Sequence, residues 1–419
     1  MAAPSLGAHV RNARFVCATC RTSLRSIHKS AFGTRYLSNT ASSQSEDSYQ
    51  LTSHSYFRGQ ATALTRKFHL AQSNIGYRQY STSSQATQVA SSGFAPLPHR
   101  RLVSLSGPDT AKFLQGLITN NVDPSHQSSF YSAFLDARGR VLWDVFVWVW
   151  PELVAEKGHW ACYVEVDGAE MEALKKHLKR HKLRSKIQIE DVSEDQVRVW
   201  SAWGSAIEQT NTEGLIAHLK DPRAPQMHRY LVSANSQTIV QGAQPADIQD
   251  YHLQRYRNGV PEGQIEIPRE SALPMECNID LCQGIDFKKG CYVGQELTIR
   301  TKHTGIVRKR ILPVELYSAA SSAAFPEPGT DIKQLDESGN IKKGRATGKF
   351  VAGIGSVGLA MCRLENMTHM KVSAEGGTWK PGMEFGCETK DGVVKIKPLL
   401  YDWFVLRERE LWDKNRQRL

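Results

Sequence analysis

The pattern of hydrophobic and polar positions predicts a mixed α+β fold for residues 95–310. Phe130–Leu135 and Val141–Trp150 read as two apolar strands, and the polar turn Asp136–Gly139 joins them into a hairpin. Strand and helix patterns then follow one another without a repeated strand-helix-strand unit. Because a parallel, doubly wound sheet needs that repeat, the order favours α+β layers.

A helix is predicted over residues 168–182, because Leu174 and Leu178 recur at the spacing of one helix face. The opposite face is basic and carries Lys175, Lys176, Lys179, Arg180 and Lys182. Such a face could hold RNA, but solvated basic helix faces are common and the chain around it is only mildly basic. Nucleic acid is therefore the less favoured partner.

The pattern changes after Arg310. Ile311–Leu316 reads as a strand, a loop rich in Ala, Ser and Pro follows, and short glycine-punctuated strands continue to Val405. Many short strands separated by turn residues are typical of a barrel or sandwich. We therefore expect residues 311–410 to form a small β-barrel-like domain.

Most of the net charge lies at one end of the chain. The formal net charge is +11, but the first 90 residues hold ten Lys/Arg against two acidic residues and so account for +8 of it. No acidic residue precedes Glu46, and Ser, Thr, Arg, Ala and Gln dominate. That composition is typical of a mitochondrial transit peptide. We expect residues 1–80 to be a disordered targeting segment and residues 81–94 a linker.

Two short sequences resemble sites for processing in the mitochondrial matrix, Arg78-Gln-Tyr-Ser81 and Arg35-Tyr-Leu-Ser38. Of the two, we expect cleavage near Ser81. A secretory signal is excluded, because it needs a continuous apolar core of about 7 to 15 residues. The alternative is a disordered tail that stays in the cytosol.

Cysteine usage fits a reducing compartment. Cys17 and Cys20 have the spacing of a redox or zinc site, but they would be removed with the targeting segment. Six cysteines remain at irregular spacing, and we expect them to be thiols, with Cys277 and Cys282 as packing residues. The longest apolar run, Val141–Trp150, is about half as long as a membrane-spanning helix, so no membrane insertion is expected.

The candidate chemistry concentrates in Phe287–Arg300. Gly290 and Gly294 flank Cys291 in a predicted tight turn, and two lysines, the second of them Lys289, come directly before it. A thiol among cations and glycines is a good candidate for a reactive or metal-binding thiolate. The alternative is a small buried cysteine in a tight turn.

The run Lys289-Gly-Cys-Tyr-Val-Gly-Gln-Glu296 closely resembles the signature of the YgfZ/GcvT family of folate-binding, aminomethyltransferase-like proteins. Three preceding segments, Leu135–Asp144, Gln254–Gly263 and Leu273–Asn278, resemble other blocks of that family. Downstream, His303–Arg310 most resembles the mitochondrial branch, whose members are iron-sulfur cluster assembly factors that work with A-type Isa scaffold proteins.

The likeness covers about residues 95–410. It implies a three-lobed ring around a central folate-sized channel, with a C-terminal barrel closing one side. Independently of the resemblance, the residues after the Cys291 turn predict a helix that begins at Gln295-Glu296, carries Arg300 and ends near Gly305.

At two positions where the true aminomethyltransferases have an acidic residue, this chain has Trp143 and Arg257. The second of those acids grips the pterin in the family, so a cation there weakens the case for pterin binding. Asp144 remains inside an apolar strand, where a carboxylate is costly unless it is paired or solvated. It could line the channel, or it could pair with Arg138 or Arg140 across the turn.

Two functions follow from the resemblance. The favoured one is a factor of the mitochondrial matrix that delivers 4Fe-4S clusters to clients such as aconitase and lipoyl synthase, with Cys291 as a metal ligand shared with an Isa partner. The alternative is a tetrahydrofolate-dependent aminomethyl transferase, in which Asp144 is the catalytic base and Arg308–Arg310 holds the glutamate tail. A role in tRNA modification has less support. The residues implied to bind the cofactor are Lys289, Gly290, Tyr292, Gly294, Gln295, Glu296, Arg300, Arg308 and Arg310.

Overall fold

The computed structural model describes residues 91–209, 214–235, 245–317 and 325–416. The predicted targeting segment, its cleavage sites and its two cysteines lie outside the described residues. In the described part, no helix combines the length and the apolar character that crossing a membrane requires.

Two antiparallel sheets form the first part of the fold. One has five strands in the order β3-β4-β5-β2-β6, and the other has four in the order β1-β7-β9-β8. In chain order these strands are β1 (Gly93–Pro96), β2 (Arg100–Ser106), β3 (Phe130–Leu135), β4 (Val141–Trp148), β5 (Cys162–Asp167), β6 (Gln188–Asp191), β7 (Val197–Trp203), β8 (Leu215–Lys220) and β9 (Met227–Ser233).

Helices cover the sheets and connect them to the last lobe. Two short 3-10 turns, Gly168–Glu170 and Gly204–Gln209, accompany them. The α-helices within the described ranges are α1 (Thr110–Gln115), α2 (Pro151–Lys157), α3 (Met171–Lys182), α4 (Ile248–Arg257), α5 (Gly263–Glu266), α6 (Gln295–Thr304), α7 (Leu364–Met367) and α8 (Asp402–Arg416).

The last lobe is a closed barrel in the order β10-β13-β12-β11-β14-β15. Its strands are β10 (Lys309–Tyr317), β11 (Asp331–Gln334), β12 (Gly348–Ile354), β13 (Val357–Arg363), β14 (Phe385–Thr389) and β15 (Gly392–Pro398). Closure leaves no unpaired sheet edge in this lobe. Two sheets with their helices and one barrel confirm the predicted α+β class with a C-terminal barrel.

Part of the predicted linker belongs to the fold. β1 starts at Gly93 and pairs with β7, where Gly93 lies opposite Trp203. Phe94 stacks on Trp200 with ring centroids 4.5 Å apart. Residues 93 and 94 therefore belong to the four-stranded sheet, because an aromatic side chain in this stretch finds a cross-strand partner.

The predicted hairpin is confirmed, although β4 ends at Trp148 rather than two residues later. Its turn is organised by Asp136, whose Oδ1 accepts hydrogen bonds from the backbone N–H of Arg138 and Arg140. Gly139 completes the turn with φ +80°, a conformation that favours glycine.

All eight residues of β4 are buried, because this strand is covered on both faces. Trp143, Val145 and Val147 belong to the core beneath α3, which also contains Leu174 and Leu178 as predicted. The side chains that alternate with them point to the opposite face, and Asp144 is one of these. The strand therefore carries Asp144 into the interior on the side away from α3.

Candidate functional site

Cys291 is the exposed thiol among the cysteines that the structure describes. The other five are buried and unpaired: Cys162, Cys277, Cys282, Cys362 and Cys387. Burial raises the pKa of the Cys282 thiol to about 12, which keeps it protonated at neutral pH. The prediction that Cys277 and Cys282 are packing residues is confirmed, and so is the absence of disulfides among these six thiols.

The loop that carries Cys291 is fastened to the segment after α1. The backbone N–H of Val293 donates to the Gly116 carbonyl at 3.1 Å. The Lys289 ammonium donates to the carbonyl oxygens of Ile118 and Asn120, both at 2.7 Å. These bonds hold both ends of the loop and leave its middle, Cys291, facing solvent.

Lys289 does not act as a free cation beside Cys291. Its side chain points inward over the Tyr292 ring, 4.9 Å from the ring centroid, and burial lowers its pKa to about 7. The expectation of two solvated lysines next to the thiol is therefore wrong for Lys289. Lys288, which is exposed, is the cation that remains at the surface of this loop.

Three more of the predicted ligand-binding residues support the loop from inside. Tyr292 is buried, and burial raises its pKa to about 12. Gln295 is also buried, and its Oε1 accepts a hydrogen bond from the Tyr292 backbone N–H at 3.3 Å. Gly294 has φ +81°, whereas Gly290 is exposed and a Cβ added there would meet open space. Only Gly294 is thus required as a glycine by the turn.

α6 spans Gln295–Thr304 and is capped by Gly305, which confirms the predicted helix. Glu296 and Arg300 are exposed on it, and Ile299 between them is 37% exposed. Residues three and four apart lie on one side of a helix, so these three side chains form a continuous solvent-facing strip. The strip starts five residues after Cys291 in the chain.

The predicted cationic run Arg308–Arg310 is not one surface. The Arg308 side chain is 57% exposed and lies 3.7 Å from Glu375, and Lys309 pairs with Glu276 at 2.9 Å. Arg310, in contrast, is fully buried. Its guanidinium donates to both carboxylate oxygens of Asp280 at 2.8 Å. Arg310 is therefore not available to hold a folate tail together with Arg308, because its guanidinium is buried and paired with Asp280.

A small cavity lies between α6 and the start of the barrel. Its volume is about 140 Å³. Apolar side chains form most of its wall, including Leu273, Met275, Leu297 and Val307, and Arg308 lies at its border. It lies on the side of α6 opposite to the exposed strip, since Leu297, Thr298 and Thr301 line it.

Asp144 is fully buried and does not face an open channel. Its Oδ1 accepts a hydrogen bond from the Gly263 backbone N–H at 3.0 Å, and its Oδ2 lies 4.0 Å from an Arg100 nitrogen. Burial raises the pKa of this carboxyl above its usual value, and Arg100 offsets only part of that shift. The suggested pairing across the turn is wrong, because Arg138 pairs with Asp136 and Arg140 donates to the Ser271 carbonyl.

Asp144 lies at the border of a buried network of charged side chains that the sequence did not predict. Glu165 accepts from Arg100 at 2.8 Å and pairs with Arg229 at 2.8 Å. Glu262 pairs with Arg223 and Arg229, both at 2.9 Å. Burial alone would raise the pKa of Glu262, but Arg229, Arg100 and Arg223 together hold it well below its usual range.

The sequence contains a sign of this network, namely charged residues inside apolar strands, which is the pattern that drew attention to Asp144. Glu165 stands between Val164 and Val166 in β5, and Arg229 stands in the mostly apolar β9. A charge inside an apolar strand is costly unless it has a partner. Their partners come from elements far apart in the chain, so the pairing could not be read from spacing.

The two positions that depart from the aminomethyltransferases lie apart from each other. Trp143 is buried, and its indole N–H donates to Glu170 at 2.9 Å. Arg257 is exposed in the last turn of α4. Among the residues that the resemblance assigned to folate chemistry, Asp144 and Arg310 are buried in separate ion networks, while Arg308 faces solvent.

No set of three or more His, Cys, Asp or Glu side chains within the described ranges is arranged to hold a metal ion. Cys291 therefore does not belong to such a set in that part of the structure. A metal or cluster bound at this thiol would need further ligands from elsewhere.

Comparison with known proteins agrees with this architecture. Residues 308–404 match the CAF17 C-terminal beta-barrel domain family, which spans the barrel and the start of α8. Among solved structures, the fold is similar to aminomethyltransferase T of the glycine cleavage system from Bartonella henselae, with a TM-score of 0.54 over 75% of this chain and 86% of that one. The sequence identity is 12%, so this likeness shows the fold alone.

Two relatives establish the family to which the chain belongs. The chain is 55% identical over 352 residues to the mitochondrial iron-sulfur cluster assembly factor IBA57 homolog of Phaeosphaeria nodorum, covering 80% of this chain and 86% of that protein. It is 39% identical over 382 residues to the protein of the same name from Aspergillus fumigatus, covering 78% and 84%. The chain belongs to the family of mitochondrial IBA57 iron-sulfur cluster assembly factors.

Proposed function

We propose that this protein helps to deliver 4Fe-4S clusters to client enzymes in the mitochondrial matrix, and that Cys291 is a cluster ligand shared with an A-type Isa scaffold protein. The observation that carries the proposal is the placement of Cys291. Its thiol is exposed on a fastened loop, while the other described thiols are buried. Iron-sulfur clusters are held by thiolates, so an exposed thiol is the group that can reach one.

The number of ligands favours a shared site. A 4Fe-4S cluster takes about four cysteine ligands, and the described part of this chain offers one exposed thiol and no set of three or more metal-binding side chains. A partner protein must therefore supply the remaining ligands. A cluster held between two proteins is exposed to exchange, which suits a factor that passes its cargo on.

The surroundings of Cys291 fit a protein partner. Val293 and Lys289 fasten the loop to the chain after α1, so the thiol is presented from a rigid support. The strip of Glu296, Ile299 and Arg300 adds one acidic, one apolar and one basic exposed side chain on the helix that follows the loop. Mixed polar and apolar surfaces of this kind are typical of transient protein interfaces.

The alternative, a tetrahydrofolate-dependent aminomethyl transferase, has less support. A transferase needs its base in contact with the substrate, and Asp144 is fully buried beside Arg100 and Gly263. Arg310, assigned to the glutamate tail, is committed to Asp280 in the interior.

The test replaces Cys291 by Ser. The variant should fold with the wild-type melting temperature, because the thiol is exposed, but cells that depend on it should lose aconitase and lipoyl-dependent activities. An equimolar mixture of the variant with the Isa partner should lack the visible absorbance of a bound cluster. Lys288→Ser is the matched control, since it changes an exposed side chain of the same loop and leaves the thiol in place.

Two results would refute the proposal. Cys291→Ser could restore client enzymes as well as wild type does, which would make the thiol dispensable. Lys288→Ser could instead fail as completely as Cys291→Ser, which would assign the defect to the loop surface rather than to the sulfur.

A further inference from the structure

A basic surface surrounds an exposed leucine where α3 ends. No acidic residue occurs between Glu172 and Glu190, whereas seven Lys and Arg residues do. One of the seven, Lys175, is neutralised by Glu172 and Asp191. We use the term basic patch for Leu183 together with the exposed cations around it: Lys112, Lys176, Lys179, Arg180, Arg184 and Lys186.

The charges of the basic patch are not neutralised from within. Across the described ranges, no ion pair joins any of its six cations to a carboxylate. Cations are favourable in the last turn of a helix, which accounts for Lys179 and Arg180. This helix-end preference does not account for Lys112 on α1, or for Arg184 and Lys186 beyond the end of α3. Three elements of the chain thus contribute positive charge to one surface.

Leu183 is 88% exposed at the centre of this surface. Its backbone has φ 43° and ψ −112°, and a positive φ is uncommon for a residue that is not glycine. A depression of about 640 Å³ lies beside it, lined by Lys112, Phe113 and Arg184 among others. An apolar side chain that stays in water contributes no burial to the stability of the fold, and the strained backbone adds a cost. This combination indicates that Leu183 contacts another molecule.

We propose that the basic patch docks the protein on the surface of a bilayer that contains anionic phospholipids, with Leu183 inserted among the headgroups. Clustered Lys and Arg attract lipid phosphates, and an adjacent apolar side chain adds a contact with the acyl boundary. Single-stranded nucleic acid would instead call for exposed aromatic rings on which bases stack. The aromatic ring of this surface, Phe113, is buried, and the exposed apolar side chain is Leu183.

The basic patch and the Cys291 loop lie at opposite ends of one short helix. The backbone N–H of Lys186 donates to Asp109, just before α1, at 2.7 Å. At the other end, the Gly116 carbonyl accepts from Val293 at 3.1 Å. α1 has six residues and is therefore about 9 Å long. Docking through the basic patch would hold the cluster-handling loop near the membrane surface, where membrane-bound acceptors are within reach.

The experiment is flotation with lipid vesicles, using the protein purified from mitochondria. Wild type is mixed with phosphatidylcholine vesicles that contain phosphatidylglycerol as about a third of their lipid, or with phosphatidylcholine alone. The test variants are the triple K179S/R180S/R184S and the single L183S. The matched controls are K342S/K343S/R345S, which removes the same charge from exposed barrel positions, and L406S, which changes another exposed leucine.

Wild type should float only with the anionic vesicles, and salt should weaken its binding. Each cation near an anionic surface contributes about fivefold, so the patch triple should bind on the order of 100-fold more weakly while the barrel triple stays near wild type. L183S should also weaken binding, and L406S should not.

The proposal is overturned if wild type ignores the anionic vesicles, or if the barrel triple loses as much binding as the patch triple. It is also overturned if the patch triple loses affinity for single-stranded RNA while L183S leaves both RNA and vesicle binding unchanged, because the basic patch would then be a nucleic-acid surface. All variants should share the wild-type melting temperature, since every substituted side chain is exposed.

Discussion

Gly294 packs directly against Gly139. A Cβ at position 294 would lie 3.1 Å from the Gly139 Cα, and a Cβ at position 139 would lie 2.9 Å from the Gly294 carbonyl oxygen. Both residues have positive φ, +81° and +80°. Through this contact, the turn between β3 and β4 supports the loop that presents Cys291.

We therefore expect Gly294→Ala to destabilise the protein by about 1–3 kcal/mol, because the backbone is left-handed there. The added Cβ would also lie only 2.3 Å from the Asp136 carbonyl oxygen. Gly290→Ala is the control, since a Cβ there meets open space. Urea unfolding of both variants measures the difference. Equal stability of the two would contradict the packing described for Gly294.

Thiol labelling should distinguish Cys291 from the other described cysteines. With native protein purified from mitochondria, a short pulse of iodoacetamide should modify Cys291, whereas Cys277 and Cys282 should react only after unfolding, because they are buried. Peptide mapping by mass spectrometry reads the sites. Rapid native labelling of Cys282 would show that its burial is not maintained in solution.

Asp144→Asn separates the two proposed functions. The amide oxygen can still accept from the Gly263 N–H, and the fold should lose no stability at neutral pH, since burial makes ionised Asp144 unfavourable. An assembly factor should therefore keep supporting aconitase in depleted cells, whereas a transferase would lose its base. Loss of aconitase with an unchanged thermal melt would favour the transferase.

Stability should fall in acid because of the buried carboxylates. The pKa of Glu262 is well below 4.5 in the folded protein, and that of Glu165 is also lowered. A carboxyl with a depressed folded pKa stabilises the fold above its unfolded pKa, and this contribution is lost as the pH falls from about 4.5 towards the folded value.

Glu262→Gln should cost about 3–5 kcal/mol at pH 7, because it removes one carboxylate partner from each of the buried Arg223 and Arg229. It should also flatten the decline of the melting temperature below about pH 4.5. Glu337→Gln, at an exposed position, should change neither. A steep acid decline that survives in the Glu262 variant would assign it to other groups.

Local pattern was sufficient for much of this fold. The β3–β4 hairpin, α3 with Leu174 and Leu178 inward, and α6 between Gln295 and Gly305 follow from periodicity and turn residues alone. Each of these depends on interactions within about a dozen residues. The turn that carries Cys291 was also expected from Gly294 and the following helix, but its attachment to the Gly116 and Ile118 carbonyls was not.

Tertiary structure decided what the charged residues do. The sequence suggests that Lys289 is a cation beside the thiol, but its side chain turns inward to the carbonyls of Ile118 and Asn120. It also suggests that Arg310 belongs to a basic surface, but Arg310 pairs with Asp280 inside the protein. Asp144 finds Gly263 and Arg100 rather than the arginines of its own turn. A charge that is buried must be satisfied by whichever partner the packing brings close, and those partners lie far along the chain. The sequence alone thus determined the elements and the family, whereas the three-dimensional packing determined which of their polar side chains face solvent and which hold the interior together.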